Sequence, residues 1–321
     1  MLLDLFKEKR CFKLICGAGN EDASEVEKLA ALYSKAGCNF FDICAEPSII
    51  SAANRGLLRA GIQKDRYLCC SIGTKDDPHI RKAGIIQETC IKCGACPQVC
   101  PQNAISAGSY EVNIIRCTGC GKCAEICPSK SILMKNSCKS LKEILPPVIA
   151  EGVDCLEFHT QGADREETLR NWEEITELFD GVISICISRS KLGSDILLEL
   201  LKNMIKARKP YTTIIQADGA PMSGGKDDFK TTLQAVSAAE IIQNADLPVY
   251  IMLSGGTNSK STELAKMCGV TLNGIAIGSY ARKIVQEYIK RDDFLENGEI
   301  FNKALSAAKN LVDISLKFMK S

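Results

Sequence analysis

Short apolar runs recur along the chain, each followed by a stretch whose apolar positions return every three to four residues. Phe12 to Gly17 and Cys38 to Ala45 read as strands. Between them Val26, Leu29, Leu32 and Tyr33 mark one face of a helix that stops on Gly37. A second helix, Pro47 to Ala60, leads into a third strand, Tyr67 to Ile72. The alternation then breaks and resumes with a helix from Ser140 to Glu151. Strands follow over Val153 to His159, Gly181 to Ile187, Tyr211 to Ala217, Pro248 to Leu253 and Gly274 to Ile277. The helices after them run over Glu166 to Phe179, Ser194 to Lys209, Asp227 to Asn244, Ser259 to Met267 and Arg282 to Lys290.

Eight strands therefore alternate with eight helices. Near-continuous apolar strands suit a parallel sheet buried on both faces. Eight βα units in about 260 residues outside the break is the size of a (β/α)8, TIM-like barrel. An open parallel α/β sheet carries the same pattern and stays as the alternative. The expected organisation is a discontinuous barrel-like domain, residues 1–75 and 137–321, interrupted by residues 76–136 after strand three. A C-terminal helix over 298–321 carries Phe301, Leu305, Ala308, Val312 and Met319 at helical spacing, a stripe suited to packing on the barrel.

The interruption changes the picture most. It reads Cys90-x2-Cys93-x2-Cys96-x3-Cys100-Pro101 and then Cys117-x2-Cys120-x2-Cys123-x3-Cys127-Pro128. Each half is the bacterial iron–sulfur run, in which a tight loop supplies three thiolates and the cysteine before proline ligates the other cluster. Cys90, Cys93, Cys96 and Cys127 are thus assigned to one [4Fe–4S] cluster, and Cys117, Cys120, Cys123 and Cys100 to a second. Zinc sites present two separated pairs instead of triplets closed by proline.

The chain holds eighteen cysteines, and the ten outside this motif sit mostly as single small residues in apolar runs, where a free thiol behaves as a small hydrophobe. With no apolar leader-like run at the N-terminus, this usage points to a reducing, cytoplasmic location. A net charge of +1 with scattered charges argues for no nucleic-acid partner, and no apolar segment is long enough for a membrane span.

Side chains alternate along a strand, so Glu157 shares a face with His159, Gln216 with Asp218, and Ser184 with Cys186 and Ser188. Together with Asp42 they are expected inside the barrel near its mouth, as a ligand pocket or as a mutually satisfied structural network. The turns Ser254-Gly255-Gly256-Thr257-Asn258 and Gly278-Ser279-Tyr280-Ala281-Arg282 follow the last two strands, where barrels often bind phosphate. Gly255, Gly256, Gly278 and Arg282 are therefore candidates for holding a flavin mononucleotide (FMN) or another phosphorylated ligand. Asp218 to Gly225 is a further glycine-rich mouth loop. Gly17-Ala18-Gly19 lacks the third glycine of a dinucleotide fingerprint. The two histidines form no zinc pair, and no radical S-adenosylmethionine run, nucleophile elbow or P-loop occurs.

Several of these segments, read together, resemble the light-dependent-period family, LdpA. They are Phe12 to Ala18, Asp77-Pro78-His79-Ile80-Arg81-Lys82-Ala83, the paired cysteine runs, Ala217 to Gly224, Leu253 to Asn258 and Ile277 to Lys283. The resemblance implies an iron–sulfur protein of cyanobacteria that adjusts circadian period to light through cellular redox state, acting with clock-input components. Two classes of function stay open. One is a redox sensor or electron carrier that meets a redox partner protein on a barrel scaffold. The other is a [4Fe–4S]-dependent oxidoreductase whose small-molecule ligand or flavin lies at the barrel mouth.

Overall fold

The computed structural model describes residues 1–62, 64–73, 81–136, 139–160, 164–188, 193–219 and 226–319. The chain opens with α1 (Leu2–Lys7), β1 (Cys11–Ile15), α2 (Ala23–Ala36), β2 (Phe40–Cys44), α3 (Pro47–Ala60) and β3 (Tyr67–Gly73). An insert follows, holding β4 (Arg81–Ile85), α4 (Ala95–Val99), α5 (Lys122–Ile126) and β5 (Ile132–Asn136). The remainder is α6 (Leu141–Ala150), β6 (Cys155–His159), α7 (Arg165–Leu178), β7 (Val182–Ser188), α8 (Ser194–Ile205), β8 (Thr213–Asp218), α9 (Leu233–Asn244), β9 (Tyr250–Ser254), α10 (Ser261–Met267), β10 (Gly274–Ile277), α11 (Ser279–Ile289) and α12 (Gly298–Lys317).

Eight strands close into a parallel barrel in the order β1-β10-β9-β8-β7-β6-β3-β2. Closure comes from β1, which pairs Phe12 with Ile275 of β10 on one side and Leu14 with Phe41 of β2 on the other. The fold is thus the (β/α)8 barrel, and the open-sheet alternative falls because no strand of the barrel is left as an edge. β4 and β5 form a separate antiparallel pair, with Ala83 opposite Met134, so the insert leaves and re-enters the barrel through neighbouring strands.

Local chemistry explains the helix boundaries. The Asp22 carboxylate accepts the Glu25 N–H at the start of α2, and Gly37 ends it with φ 102°. Pro47 opens α3 and Gly61 closes it. α2 and α3 touch at Gly56, where a Cβ would collide with the carbonyl oxygen of Glu27. The helix expected from Asp227 begins only at Leu233, because the Asp228 carboxylate first takes the Thr231 N–H in a turn.

Two apolar layers hold the barrel. The outer one packs strand residues such as Phe12, Leu14, Phe41, Phe158 and Leu253 against the helices, and Ala304, Ala308, Leu311 and Val312 of α12 are buried in it. The inner layer fills the N-terminal half of the barrel with Cys11, Phe40, Cys69, Cys155, Ile214, Met252 and Ala276. Helix α1, which the sequence pattern does not reveal, plugs this end with Leu2, Leu5 and Phe6. Phe6 stacks on Tyr250 at 5.6 Å and meets Phe40 edge-on at 6.0 Å. Small cysteine side chains at three of these positions leave room for those rings.

Candidate functional site

The insert is built twice on one local plan. Gly94 and Gly121, with φ 81° and 80°, each open a short helix, α4 and α5, and Cys100 and Cys127 end them in extended backbone. Three residues later Asn103 and Lys130 both take positive φ, 49° and 51°. This turn brings a backbone N–H back onto each of the two sulfurs, Ala104 to Cys100 Sγ at 3.3 Å and Ser131 to Cys127 Sγ at 3.3 Å. Two small hollows result. One is lined by Cys90, Cys93, Cys96 and Cys127, and the other by Cys117, Cys120, Cys123 and Cys100. Each hollow draws three cysteines from one half and the fourth from the other. Apolar Ala83, Ala104, Ile105 and Ile132 pack around them. A cubane needs four converging thiolates in an apolar, hydrogen-bonded seat, and these residues fit that group.

The two hollows differ in what surrounds them. The segment carrying Cys117 is clamped to the loop after β1, on the C-terminal face of the barrel. The Lys82 ammonium donates to the carbonyls of Gly19 (2.6 Å) and Cys117 (2.8 Å) and pairs with Glu21 at 2.8 Å. The Glu21 N–H donates to the Ile115 carbonyl at 2.9 Å, and Arg116 pairs with Glu25 at 3.1 Å. At the other hollow Cys93 is exposed, Ile91 is 63% exposed, and among the described residues no barrel residue lines the wall.

Inside the C-terminal half of the barrel lies a charged centre. Lys13 is fully buried on β1. Its ammonium donates to Glu157 and to Gln216 Oε1 (3.2 Å) and lies 3.9 Å from Asp42. Glu157 Oε1 also accepts from Gln216 Nε2 at 2.8 Å and meets His159 Nε2 at 2.9 Å, while the Ser71 hydroxyl donates to Asp42 at 2.6 Å. Burial works against charge on Glu157, but Lys13 and His159 outweigh it and hold its carboxyl at about 2. Burial wins at Asp42, pushing it up to about 6 against the opposing pull of Lys13. At Lys13 burial is outweighed by Asp42 and Glu157, and its pKa is raised well above the usual value. The two neighbouring carboxylates thus favour the ammonium form of this lysine.

Glu157, His159 and Cys186 bring an oxygen, a nitrogen and a sulfur within 4.8 Å of one another. The Glu157 carboxylate in this group is engaged by Lys13, Gln216 and His159. Beside it the buried Ser184 hydroxyl has no hydrogen-bond partner among the described residues.

Comparison with known proteins is consistent with both parts. Residues 82–130 match the 4Fe-4S dicluster domain family, and residues 148–314 match the family described as Light dependent period A C-terminal domain. A relative named Light dependent period A, from Synechococcus elongatus, is 30% identical over 330 residues, covering 90% of this chain and 84% of its own. The chain belongs to the light dependent period A family. The dicluster match of this family member spans all eight motif cysteines, making it an iron–sulfur protein with a redox centre. Among solved structures, the YdjI aldolase from Escherichia coli K12 aligns with TM-score 0.51 at 10% identity, covering 99% of this chain and 94% of that one. Tryptophan synthase from Mycobacterium tuberculosis aligns with TM-score 0.48 at 11% identity, covering 99% and 97%. At such identity the first likeness concerns the barrel fold alone. Among the described residues no helix is long and apolar enough to cross a membrane.

Of the residues singled out from the sequence, Asp42, Glu157, His159 and Gln216 meet in the barrel centre of this family member. Ser184 and Cys186 are buried beside them on β7. Asp218 instead abuts the Gly255–Gly256 turn, where a Cβ on Gly255 would collide with its carboxylate. Gly255 and Gly256 take φ 61° and 76°, and the Gly256 carbonyl accepts the Thr232 hydroxyl at 3.2 Å. Arg282 donates to the Ile15 carbonyl at 2.6 Å. The side chain of Ser188, the Asp77 to Ile80 segment and the Ala220 to Gly225 segment lie outside the described residues. Sequence reasoning missed Lys13 and Ser71. The available signal was parity: Lys13 lies two residues from Cys11 and Ile15 in an apolar strand, which turns its head into the barrel toward whatever acids line it.

Proposed function

We propose that this family member is a two-cluster [4Fe–4S] electron carrier or redox sensor. Cys90, Cys93, Cys96 and Cys127 hold the outer cluster, and Cys117, Cys120, Cys123 and Cys100 the inner one. The reading is carried by the two hollows, each lined by four cysteines drawn from both halves of the motif. The outer cluster, beside exposed Cys93 and Ile91, faces a redox partner protein. The inner one, clamped to the C-terminal face of the barrel, faces a ligand or conformational readout there. N–H donors on Cys100 and Cys127 sulfurs favour the reduced clusters by offsetting their added charge. Through its relative the protein is linked to light-dependent adjustment of period, with clock-input components as the partners the resemblance implies. An oxidoreductase bearing FMN or another phosphorylated ligand at the barrel mouth is the second reading; it is favoured by Gly278 and Arg282 at the start of α11, directly after β10 on the C-terminal face of the barrel.

Iron and acid-labile sulfide counted on anaerobically purified protein test this directly. About eight of each per chain is expected for two cubanes. A stoichiometry of about four, or zinc in place of iron, would refute it.

A further inference from the structure

Between the insert and the barrel lies a cleft of about 790 Å³, the size of a small-molecule site. Its charge stands out in a chain whose net charge is +1. Lys122 from the insert, Lys226 and Lys230 from the approach to α9, and Arg282 and Lys283 from the first turns of α11 all line it. Two carboxylates, Glu25 and Asp228, share the lining with these five cations. Glu25 pairs with Arg116 at 3.1 Å, and Asp228 accepts the Thr231 N–H at 3.0 Å. Ser279, the first residue of the eleven-residue α11, presents the positive end of that helix to the same space. The bond from Arg282 to the Ile15 carbonyl fixes the guanidinium on the cleft wall. Gly255, Gly256 and Gly278 are not among the lining residues.

We propose that this cleft, off the barrel axis, binds a phosphorylated small molecule of nucleotide size. Its phosphate sits among Lys226, Lys230, Arg282 and Lys283. Its other end lies against the turn of Cys100 to Asn103, at the inner cysteine set. Four cations on the barrel side of the cleft and Lys122 on the insert side match a multiply charged phosphate ester better than a neutral ligand. An arriving anion would alter the field at the inner cluster and leave the outer one almost untouched. That coupling rests on the iron–sulfur reading, whereas binding does not.

The test is equilibrium dialysis of the anaerobically purified full-length protein with FMN and ADP, and with riboflavin and adenosine as their phosphate-free counterparts. At least one phosphorylated probe should bind about tenfold or more tightly than its counterpart. Lys230→Glu and Lys283→Glu, both at exposed positions, should each weaken that binding about tenfold, and Lys309→Glu on exposed α12 should leave it unchanged. Absence of binding by both phosphorylated probes, equal binding of the phosphate-free ones, or indifference to both charge reversals would overturn the proposal. Iron counted on the same samples keeps the two readings apart: phosphate-dependent binding to a protein without iron would refute the clusters and leave the cleft assignment standing.

Discussion

The cysteines of the insert come from one contiguous stretch, Cys90 to Cys127, and reach their hollows through a local turn used twice. The charged centre of the barrel draws Lys13, Asp42, Ser71, Glu157, His159 and Gln216 from five strands spread over most of the chain. The first site is modular: its backbone is set by nearby glycine turns, and it touches the barrel through a few ion pairs and hydrogen bonds at one edge. The second is collective, because each buried charge is tolerable only while its partners stay in place. A defect in the insert should remain there, and a defect in the barrel centre should be felt by the whole fold.

Lys13→Met puts the largest load on this contrast. It leaves Glu157 and Asp42 buried without their cation and should cost about 3–5 kcal/mol. The chain's single tryptophan, Trp172, is buried on α7 and donates to the Met204 carbonyl at 2.7 Å. Its fluorescence in a urea titration therefore reports the barrel. Cys93→Ala should move that transition by less than about 0.5 kcal/mol. Similar shifts from the two variants would erase the distinction between modular and collective sites.

A smaller effect comes from pH. Asp42, raised to about 6 from an ordinary 3.8, binds its proton more tightly in the folded state. It therefore contributes stability that is complete below 3.8 and is lost as pH rises through about 6. Glu157, held at about 2 instead of 4.5, works the other way: its contribution is complete above 4.5 and is lost as pH falls toward 2. Between pH 4.5 and 6 the Asp42 contribution alone changes within this pair. The parent should lose stability with rising pH there, by at most about 1.4 kcal/mol per unit, and Asp42→Asn should flatten that slope. An unchanged slope in the variant would remove Asp42 from the linkage.

The contrast also explains what could be read from the chain before folding. The insert was legible as a motif, because the spacing of its neighbouring cysteines marks the stretch that matches the dicluster domain family. The barrel was legible as a count of apolar strands and helices. Its charged centre was legible only in part: Asp42, Glu157, His159 and Gln216 follow from strand parity, but Lys13 finds its partners across the barrel, a relation that no local spacing records. Helix α1 was hidden because six residues are too few for periodicity to speak, although Leu2, Leu5 and Phe6 all turn inward. The glycines after β9 carried an ambiguous signal. The same residue type that admits a phosphate also admits the close packing that Gly255 makes against Asp218.

Interlocking is the feature on which the proposed cluster assignment depends, and paramagnetic resonance of three reduced single variants tests it most directly. If Cys127 crosses to the outer set, Cys127→Ala should give the spectrum of Cys93→Ala, with the inner cluster's signal intact. A Cys127→Ala spectrum that instead matches Cys120→Ala would place Cys127 with its own half of the sequence and contradict the assignment.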